Sequence, residues 1–332
     1  MTRQAYRNVV RSFAGRRIVV VGDVMLDEYL FGRASRVSPE APVMVVDVES
    51  EGSVPGGAAN VACNLLALGA SVAIVGVVGD DEAGRSLASM LAERGADVTG
   101  LVMDGDRPTT RKTRILAQSQ QVLRVDREQT GVLGGGVSAS LLDQVAARLA
   151  DSEAVLISDY AKGVVHRELA ERVVEEAHGA GKLVTANPKP ANAAALRGAD
   201  VVSFNESEAA AALQLLGLSR TATSSREGGE GIDRTGGALA AELGVRHLVV
   251  TQGSRGLSLW SADGTVRRIP ARPVAVYDVA GAGDTVIAAL TLGLAGGAEA
   301  HLAALVANHA ASCVVRKVGV ATVTADELLV DW

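Results

Sequence analysis

The chain contains little cysteine and few aromatic residues. Its 332 residues include two cysteines, and Phe, Trp and Tyr together make up 3%. Cys63 and Cys313 lie far apart in apolar, alanine-rich segments, which favours buried free thiols in a reducing compartment over a disulfide. No Cys/His pair shows the spacing of a zinc site. Since 48% of the residues are hydrophobic, the core must consist mainly of Ala, Val and Leu, as in sheets flanked by helices.

An excess of positive charge and a long apolar run are also missing. The formal net charge of −6 excludes a general basic field for nucleic acid or a membrane surface. No apolar run reaches the length of a transmembrane helix, and residues 1–17 lack the apolar segment of a signal peptide. Instead, Tyr6, Val9, Val10 and Phe13 share one side of a predicted leading helix. We therefore expect a soluble cytoplasmic protein.

Short apolar strands alternate with amphipathic helices along most of the chain. The pattern predicts strands at 17–27, 71–81, 154–160, 183–188, 200–206 and 247–253, and helices at 56–70, 82–96, 166–180 and 207–217. Such alternation favours an α/β fold with a mainly parallel sheet and right-handed crossovers.

Three segments depart from this alternation. Residues 31–55 and 105–128 resemble short strands without intervening helices, which predicts a small sheet that stands off the main body. That sheet is either a lid over a site or a dimerisation flap, and the two roles are compatible. Residues 220–237 are rich in Gly, Ser, Thr and charge, and are predicted to form a surface loop.

Polar residues follow several predicted strands, at the edge where open parallel sheets bind ligands. They are Asp23, Asp27, Asp80, Asp81, Asp159, Asn187, Lys189, Asn205, Glu206, Glu208, Thr251 and Gly253. Each one alone is explained equally well as a helix cap, whereas the whole set favours a site. The segment "TQGSRG" (251–256) fits a phosphate-binding loop or a β-hairpin turn. Neither a dinucleotide fingerprint after the first strand nor a Walker motif is present.

The segment "YDVAGAGDTV" (277–286) carries the strongest chemical signal. Gly281, Ala282 and Gly283 lead into Asp284 and an apolar helix, so several backbone amides and the positive helix end point at one place. An anion-binding turn beside a carboxylate suits phosphoryl transfer, in which the carboxylate takes the proton of the attacking hydroxyl. The alternative is that Asp284 is only an N-cap after a tight turn.

Two signatures identify a family resemblance. "DVAGAGDT" resembles the C-terminal signature of the ribokinase-like (PfkB) carbohydrate kinases, and "PGGAANVACNLLALGA" resembles their N-terminal signature. The likeness runs from about residue 16 to the end of the chain. It implies a single kinase domain over 1–332 with a three-layer α/β/α fold, a mainly parallel central sheet and a small β lid. Such lids commonly pair in homodimers.

Three further segments resemble one branch of this family. "VVGDVMLDEYLFGRASRVSPEAPVMVV", "SDYAKG" and "QQVLRVDRE" are similar to bacterial kinases of D-glycero-β-D-manno-heptose 7-phosphate. The implied reaction is ATP- and Mg²⁺-dependent phosphorylation of the anomeric hydroxyl, which gives the 1,7-bisphosphate.

The resemblance also implies roles for matching residues. Asp284 would be the general base, and the backbone from Ala280 to Gly283 would form the anion hole. The sugar-binding positions would be Asp23, Asp27, Gly56, Gly57 and Asn60. The ATP-binding positions would be Lys189, Asn205, Glu208, Thr251, Gly253, Gly256 and Asn308, with Glu208 reaching Mg²⁺ through water.

A phosphorylated sugar needs cations at its far end. Lys112, Arg114 and Arg124 in the lid segment, and Lys162 after the "SDY" strand, are the candidates, with Arg111 less certain. Lys112 and Arg114 would share one face of a strand. The alternative for each is a solvated lid face.

Departures from the family pattern leave other functions open. Ala280 replaces a common Thr, Asn187 an expected Asp, and Ala321 a common hydroxyl residue. The alternatives are therefore a kinase for another sugar or a hexose phosphate, and a sugar-binding homologue with impaired catalysis. A nicotinamide oxidoreductase is disfavoured. Many heptose kinases continue into an adenylyltransferase domain with a His-x-x-His-type signature; no histidine here forms one, so that activity is not expected.

Overall fold

Valine-rich runs form the central strands of one large sheet. The computed structural model describes residues 2–118, 120–218 and 230–332. The strands are β1 (Arg17–Gly22), β2 (Val24–Val37), β3 (Met44–Gly57), β4 (Ser71–Gly79), β5 (Asp97–Asp104), β6 (Arg111–Ala117), β7 (Gln120–Arg127), β8 (Ala154–Ser158), β9 (Leu183–Asn187), β10 (Val201–Asn205), β11 (His247–Thr251), β12 (Leu257–Ser261) and β13 (Val266–Ile269).

Helices cover both faces of this sheet. They are α1 (Arg3–Arg11), α2 (Ala58–Ala67), α3 (Glu82–Glu93), α4 (Gly135–Leu149), α5 (Arg167–Gly179), α6 (Glu206–Leu215), α7 (Glu230–Leu243), α8 (Ala282–Ala295), α9 (Ala300–Val314) and α10 (Ala325–Asp331). Within the described ranges, none of them combines the length and apolar character that a membrane crossing requires.

The large sheet has the order β13-β12-β11-β10-β9-β8-β1-β4-β5 in the described chain. The strands from β11 to β5 pair in parallel, whereas β12 and β13 add an antiparallel edge. Side chains alternate between two cores: Ile18 and Val20 pack with α2, α8 and α9, and Val19 and Val21 pack with α4, α5 and α6. The predicted three-layer α/β/α fold is confirmed.

A separate sheet with the order β3-β2-β6-β7 forms the lid. β2 and β3 pair antiparallel, β2 and β6 pair parallel, and β6 and β7 form a second hairpin. Its strands span 24–57 and 111–127, so their bounds differ from the predicted 31–55 and 105–128. The first lid segment begins at residue 24 and not at residue 31, because the chain passes from β1 to β2 at Asp23.

Other sequence predictions have mixed outcomes. Tyr6, Val9, Val10 and Phe13 are buried, as the amphipathic pattern of the leading helix predicts. β5 and α4 were not predicted; the apolar residues of α4 recur at helical spacing but follow a stretch rich in glycine. The predicted loop 220–237 lies partly outside the described residues, and from residue 230 onward it is wrong since α7 begins there.

The close approach of β1 and β8 yields a test of the fold. A Cβ at Gly22 would lie 1.9 Å from the Ser158 carbonyl oxygen, which is backbone and cannot move aside. We expect Gly22→Ala to lower the free energy of unfolding by about 1–3 kcal/mol, the usual cost of overpacking. Gly52→Ala is the matched control, since a Cβ on this strand glycine meets no atom within 4 Å. Equal urea midpoints for the two variants would contradict the prediction.

Candidate active site

Asp284 lies in the first turn of α8, buried between three elements. The N-cap of α8 is Gly281, whose φ of 77° lies in the left-handed region that favours glycine. The interpretation of Asp284 as the N-cap is therefore wrong. Its carboxylate instead accepts hydrogen bonds from Asn60 Nδ2 and Tyr160 Oη, each at 2.6 Å.

Burial raises the pKa of Asp284 to about 6. The hydrogen bonds from Tyr160 and Asn60, together with the charge of Lys189, oppose this rise because they favour the ionised form. A carboxylate whose pKa lies close to neutral pH can both hold and release a proton. That property suits a general base.

Tyr160 is the contact that the sequence did not reveal. It follows β8, and its backbone amide donates to Asp23 Oδ2 at 2.8 Å. Lys189 Nζ lies 5.1 Å from the centre of the Tyr160 ring. The available signal is the position of Tyr160 two residues after the buried strand β8, beside Asp159 at the edge of the sheet.

Asp23 holds the loop that carries Tyr160. The Asp23 carboxylate is 1% exposed and accepts backbone hydrogen bonds from Tyr160, Lys162 and Val164 at 2.8 to 3.0 Å. Three backbone donors already satisfy this carboxylate. Asp23 therefore holds the loop of residues 160–164 in place, and its predicted contact with a sugar stays a prediction.

Asp27 and the glycine pair lie where the lid joins the body. Asp27 Oδ1 accepts a hydrogen bond from Arg114 at 2.6 Å. A Cβ at Gly56 would lie 2.3 Å from Asp27 Oδ2, and one at Gly57 would lie 2.4 Å from the Asp23 carbonyl oxygen. The two glycines thus leave room for the carboxylate and for the crossing of the chain.

The four cations predicted to bind the far end of the sugar are all paired with carboxylates. Their partners are Asp126 and Glu128 for Lys112, Asp27 for Arg114, Asp126 for Arg124, and Glu128 for Lys162. Lys112 and Arg114 do share a face, since Arg111 and Thr113 instead contact Glu28 on the opposite side of β2. Four cations thus face three carboxylates, which leaves a net positive charge.

A cavity of about 370 Å³ lies beside the first turn of α8, lined by residues on either side of Asp284 in the chain. The residues predicted to bind ATP that line it are Thr251, Gly253, Gly256 and Asn308, together with Ala282 and Gly283 of the glycine turn. Asn308 Nδ2 donates a hydrogen bond to the Pro270 carbonyl oxygen at 2.9 Å, which stabilises the wall of the cavity at α9. "TQGSRG" is both a turn into the antiparallel β12 and part of this wall.

The Asn-x-x-Glu motif is a capping box at the start of α6. Asn205 Oδ1 accepts from the Glu208 amide, and Glu208 Oε2 accepts from the Asn205 amide. Glu208 Oε1 also pairs with Lys189 Nζ at 2.6 Å. The motif therefore places a Lys–Glu pair next to Tyr160.

The amide of Ala280 is not available to an anion. It donates to Asp278 Oδ1 at 2.9 Å, and the Ala282 amide donates to the Val279 carbonyl oxygen at 3.3 Å. Of the predicted anion hole, the amides of Gly281 and Gly283 remain suited to an anion, since the first amides of a helix have no partner within it.

The chain resembles known proteins over nearly all of its length. It is 41% identical over 315 residues to "Bifunctional protein HldE" of Geotalea uraniireducens, with 95% of this chain and 62% of that protein covered. It is 42% identical to the protein of the same name from Caulobacter vibrioides, with 98% of this chain and 65% of that protein covered. The chain thus spans less than two thirds of the length of these relatives.

Solved structures show the same fold at low identity. Arabidopsis thaliana ribokinase, solved with ribose and ATP, gives a TM-score of 0.73 at 21% identity, with 95% of this chain and 98% of that chain covered. Escherichia coli phosphofructokinase-2, solved with potassium, gives a TM-score of 0.76 at 18% identity, with 95% of this chain and 97% of that chain covered. The model of the pfkB family carbohydrate kinases matches residues 16–327. With its predicted signatures at both ends of that range, the chain belongs to the pfkB family of carbohydrate kinases.

Proposed function

We propose that this carbohydrate kinase transfers the γ-phosphoryl group of ATP to the anomeric hydroxyl of a heptose 7-phosphate, with Asp284 as the general base. The observation that carries the proposal is the position of Asp284. Gly283, its neighbour in the chain, lines the cavity of about 370 Å³ that fits a nucleotide. The carboxylate itself contacts Asn60 and Tyr160 on the lid side of the same turn.

In the proposed reaction, Asp284 accepts the proton of the sugar hydroxyl as that oxygen attacks phosphorus. The amides of Gly281 and Gly283 and the N-terminus of α8 stabilise the charge of the phosphoryl group during transfer. Lys189 adds a positive charge close enough to act on Asp284. Asn60 and Tyr160 hold the carboxylate in place before substrate arrives.

The residues around Lys189 fit a hydrated Mg²⁺ ion. Asn187 Oδ1 is buried and has no hydrogen-bond partner within the described residues, so it offers an oxygen close to Lys189 in the chain. Glu208 is held by Lys189 and by its own helix start, which favours contact through water. Mg²⁺ prefers oxygen ligands and keeps several waters. When bound, it would neutralise charge on the ATP phosphates.

The lid face fits the phosphate end of the sugar. Lys112, Arg114, Arg124 and Lys162 converge on Asp27, Asp126 and Glu128, with one positive charge in excess. A phosphate dianion would compete with these carboxylates for the same donors. A substrate with a phosphate at its far end therefore suits this lid better than a free sugar. The likeness of "SDYAKG" and "QQVLRVDRE" to kinases of heptose 7-phosphate supports the heptose.

The substrate is tested by ADP release from ATP with Mg²⁺ and a panel of acceptors. We expect turnover with D-glycero-D-manno-heptose 7-phosphate and much weaker turnover with hexose phosphates or unphosphorylated heptose. Asp284→Asn should lower kcat by about 10²- to 10⁴-fold, because it removes the base. Sugar-phosphate binding should be nearly unchanged in that variant, as calorimetry would measure.

Three outcomes would contradict the proposal, each in a different part. Turnover of a hexose phosphate without turnover of the heptose would reassign the substrate and leave the base in place. Binding without turnover by the unaltered chain would indicate a sugar-binding homologue. An unchanged rate in Asp284→Asn would refute the assignment of the base.

The pH profile tests the contact between Tyr160 and Asp284. Because the base must be ionised, activity should fall as pH drops through its pKa of about 6. Tyr160→Phe removes a donor to the ionised form, so the acid limb of kcat/KM should move up by about one pH unit. At alkaline pH the rates should converge. Tyr277→Phe, at an exposed tyrosine, is the control; an unmoved acid limb in Tyr160→Phe would contradict the contact.

We further propose that the lid pairs two copies of the chain. The lid strands expose apolar side chains that the monomer does not cover, including Phe31 (44%), Val48 (53%) and Leu123 (53%). Leu123→Asp should convert a dimer into a monomer in analytical ultracentrifugation, since it would bury an unpaired charge in the interface. Leu215→Asp is the control on α6, at a residue that is 65% exposed. A dimer that survives Leu123→Asp, or an unaltered chain that is monomeric, would refute this pairing.

A further inference from the structure

Three side chains with metal-binding atoms converge at the end of α9, away from Asp284. They are His309 and Cys313, one helical turn apart, and Asp331 of α10. The sequence analysis expected no Cys/His pair with zinc spacing, and this cluster is where that expectation can be tested. Positions i and i+4 of a helix lie on one face, and the third group comes from an element distant in sequence.

The distances match those within a tetrahedral zinc site. His309 Nε2 lies 3.1 Å from Asp331 Oδ2, and Cys313 Sγ lies 3.6 Å from each of these atoms. Zinc bonds of ~2.0 Å to N or O and ~2.3 Å to S, at tetrahedral angles, place N and O about 3.3 Å apart and S about 3.5 Å from either. Small shifts would therefore suffice for all three atoms to contact one ion.

The surroundings support this ligand set. Tyr6 Oη lies 2.5 Å from His309 Nδ1, which orients the ring so that Nε2 faces the other two groups. Arg316 binds Asp331 through the other oxygen, Oδ1, at 3.1 Å. Arg272 NH1 lies 3.6 Å from Oδ2, beyond a hydrogen bond, so that oxygen keeps a lone pair for an ion.

An ion can also reach these groups. His309 and Cys313 are buried, whereas the Asp331 side chain is 37% exposed and opens the cluster to solvent. A nitrogen, a sulfur and a carboxylate oxygen are a donor set that selects zinc over magnesium or calcium.

We propose that His309, Cys313 and Asp331 form a zinc-binding site, with a water molecule as the fourth ligand. On binding, the Cys313 thiol releases its proton to solvent and the thiolate coordinates the ion. The ion would connect α9 to α10. Asn308 and Ser312, on the same helix, line the cavity proposed for ATP, so the site would also stabilise one wall of that cavity.

The test uses the full chain after treatment with a chelator. Co²⁺ should add a thiolate-to-metal charge-transfer band and the visible bands of a tetrahedral ion, and Zn²⁺ should displace it at one ion per chain. Cys313→Ala should abolish the charge-transfer band and weaken Zn²⁺ binding at least about tenfold. Cys63→Ala removes the other buried cysteine and should change neither.

Asp331→Asn keeps the proposal testable if Cys313→Ala fails to fold, as judged by circular dichroism. Because Asp331 is partly exposed, this variant should fold and still bind Zn²⁺ at least about tenfold more weakly. The proposal is overturned if the unaltered chain gives no thiolate band, if the band survives Cys313→Ala, or if Asp331→Asn retains full affinity.

Discussion

The Asp23 carboxylate joins the main sheet, the lid and the loop after β8. Asp23 is the single residue between β1 and β2, and it accepts three backbone hydrogen bonds from residues 160–164. A buried carboxylate without such donors would carry a large desolvation cost, so the loop must adopt this shape when the sheet forms. Tyr160 reaches Asp284 as a result of that constraint. The position of Tyr160 next to Asp284 thus depends on Asp23, whose carboxylate accepts a hydrogen bond from the Tyr160 backbone.

The layer architecture was predictable because the cause is local. Runs such as "RIVVVG" bury both faces of a strand, and such strands require helices on each side. The bounds of the lid were less predictable, since β2 continues directly from β1 and no turn residue marks the change of sheet. α4 escaped prediction because its apolar residues, Leu141, Val145 and Leu149, follow a stretch rich in glycine. Local signals locate elements better than they locate the boundary between sheets.

The site was predictable where backbone conformation demands special residues, and less so where side chains meet from distant segments. Gly281 must adopt a left-handed conformation, and this requirement is visible in the sequence. The bond between Tyr160 and Asp284 spans 124 positions, and no local pattern encodes it. The carboxylate partners of Lys112 and Arg114 also could not be inferred, since they lie on neighbouring strands. The sequence shows which of these side chains are charged, but only the fold shows which carboxylates they pair with.

The junction between β3 and α2 has a mechanical consequence. β3 ends at Gly57, α2 begins at Ala58, and Asn60 in the first turn holds Asp284. No flexible linker separates the lid strand from the donor to the buried carboxylate. A tilt of the hairpin would therefore move the Asn60 amide relative to Asp284. Since the hydrogen bond from Asn60 lowers the pKa of Asp284, such a tilt would also change the pKa of this buried carboxylate.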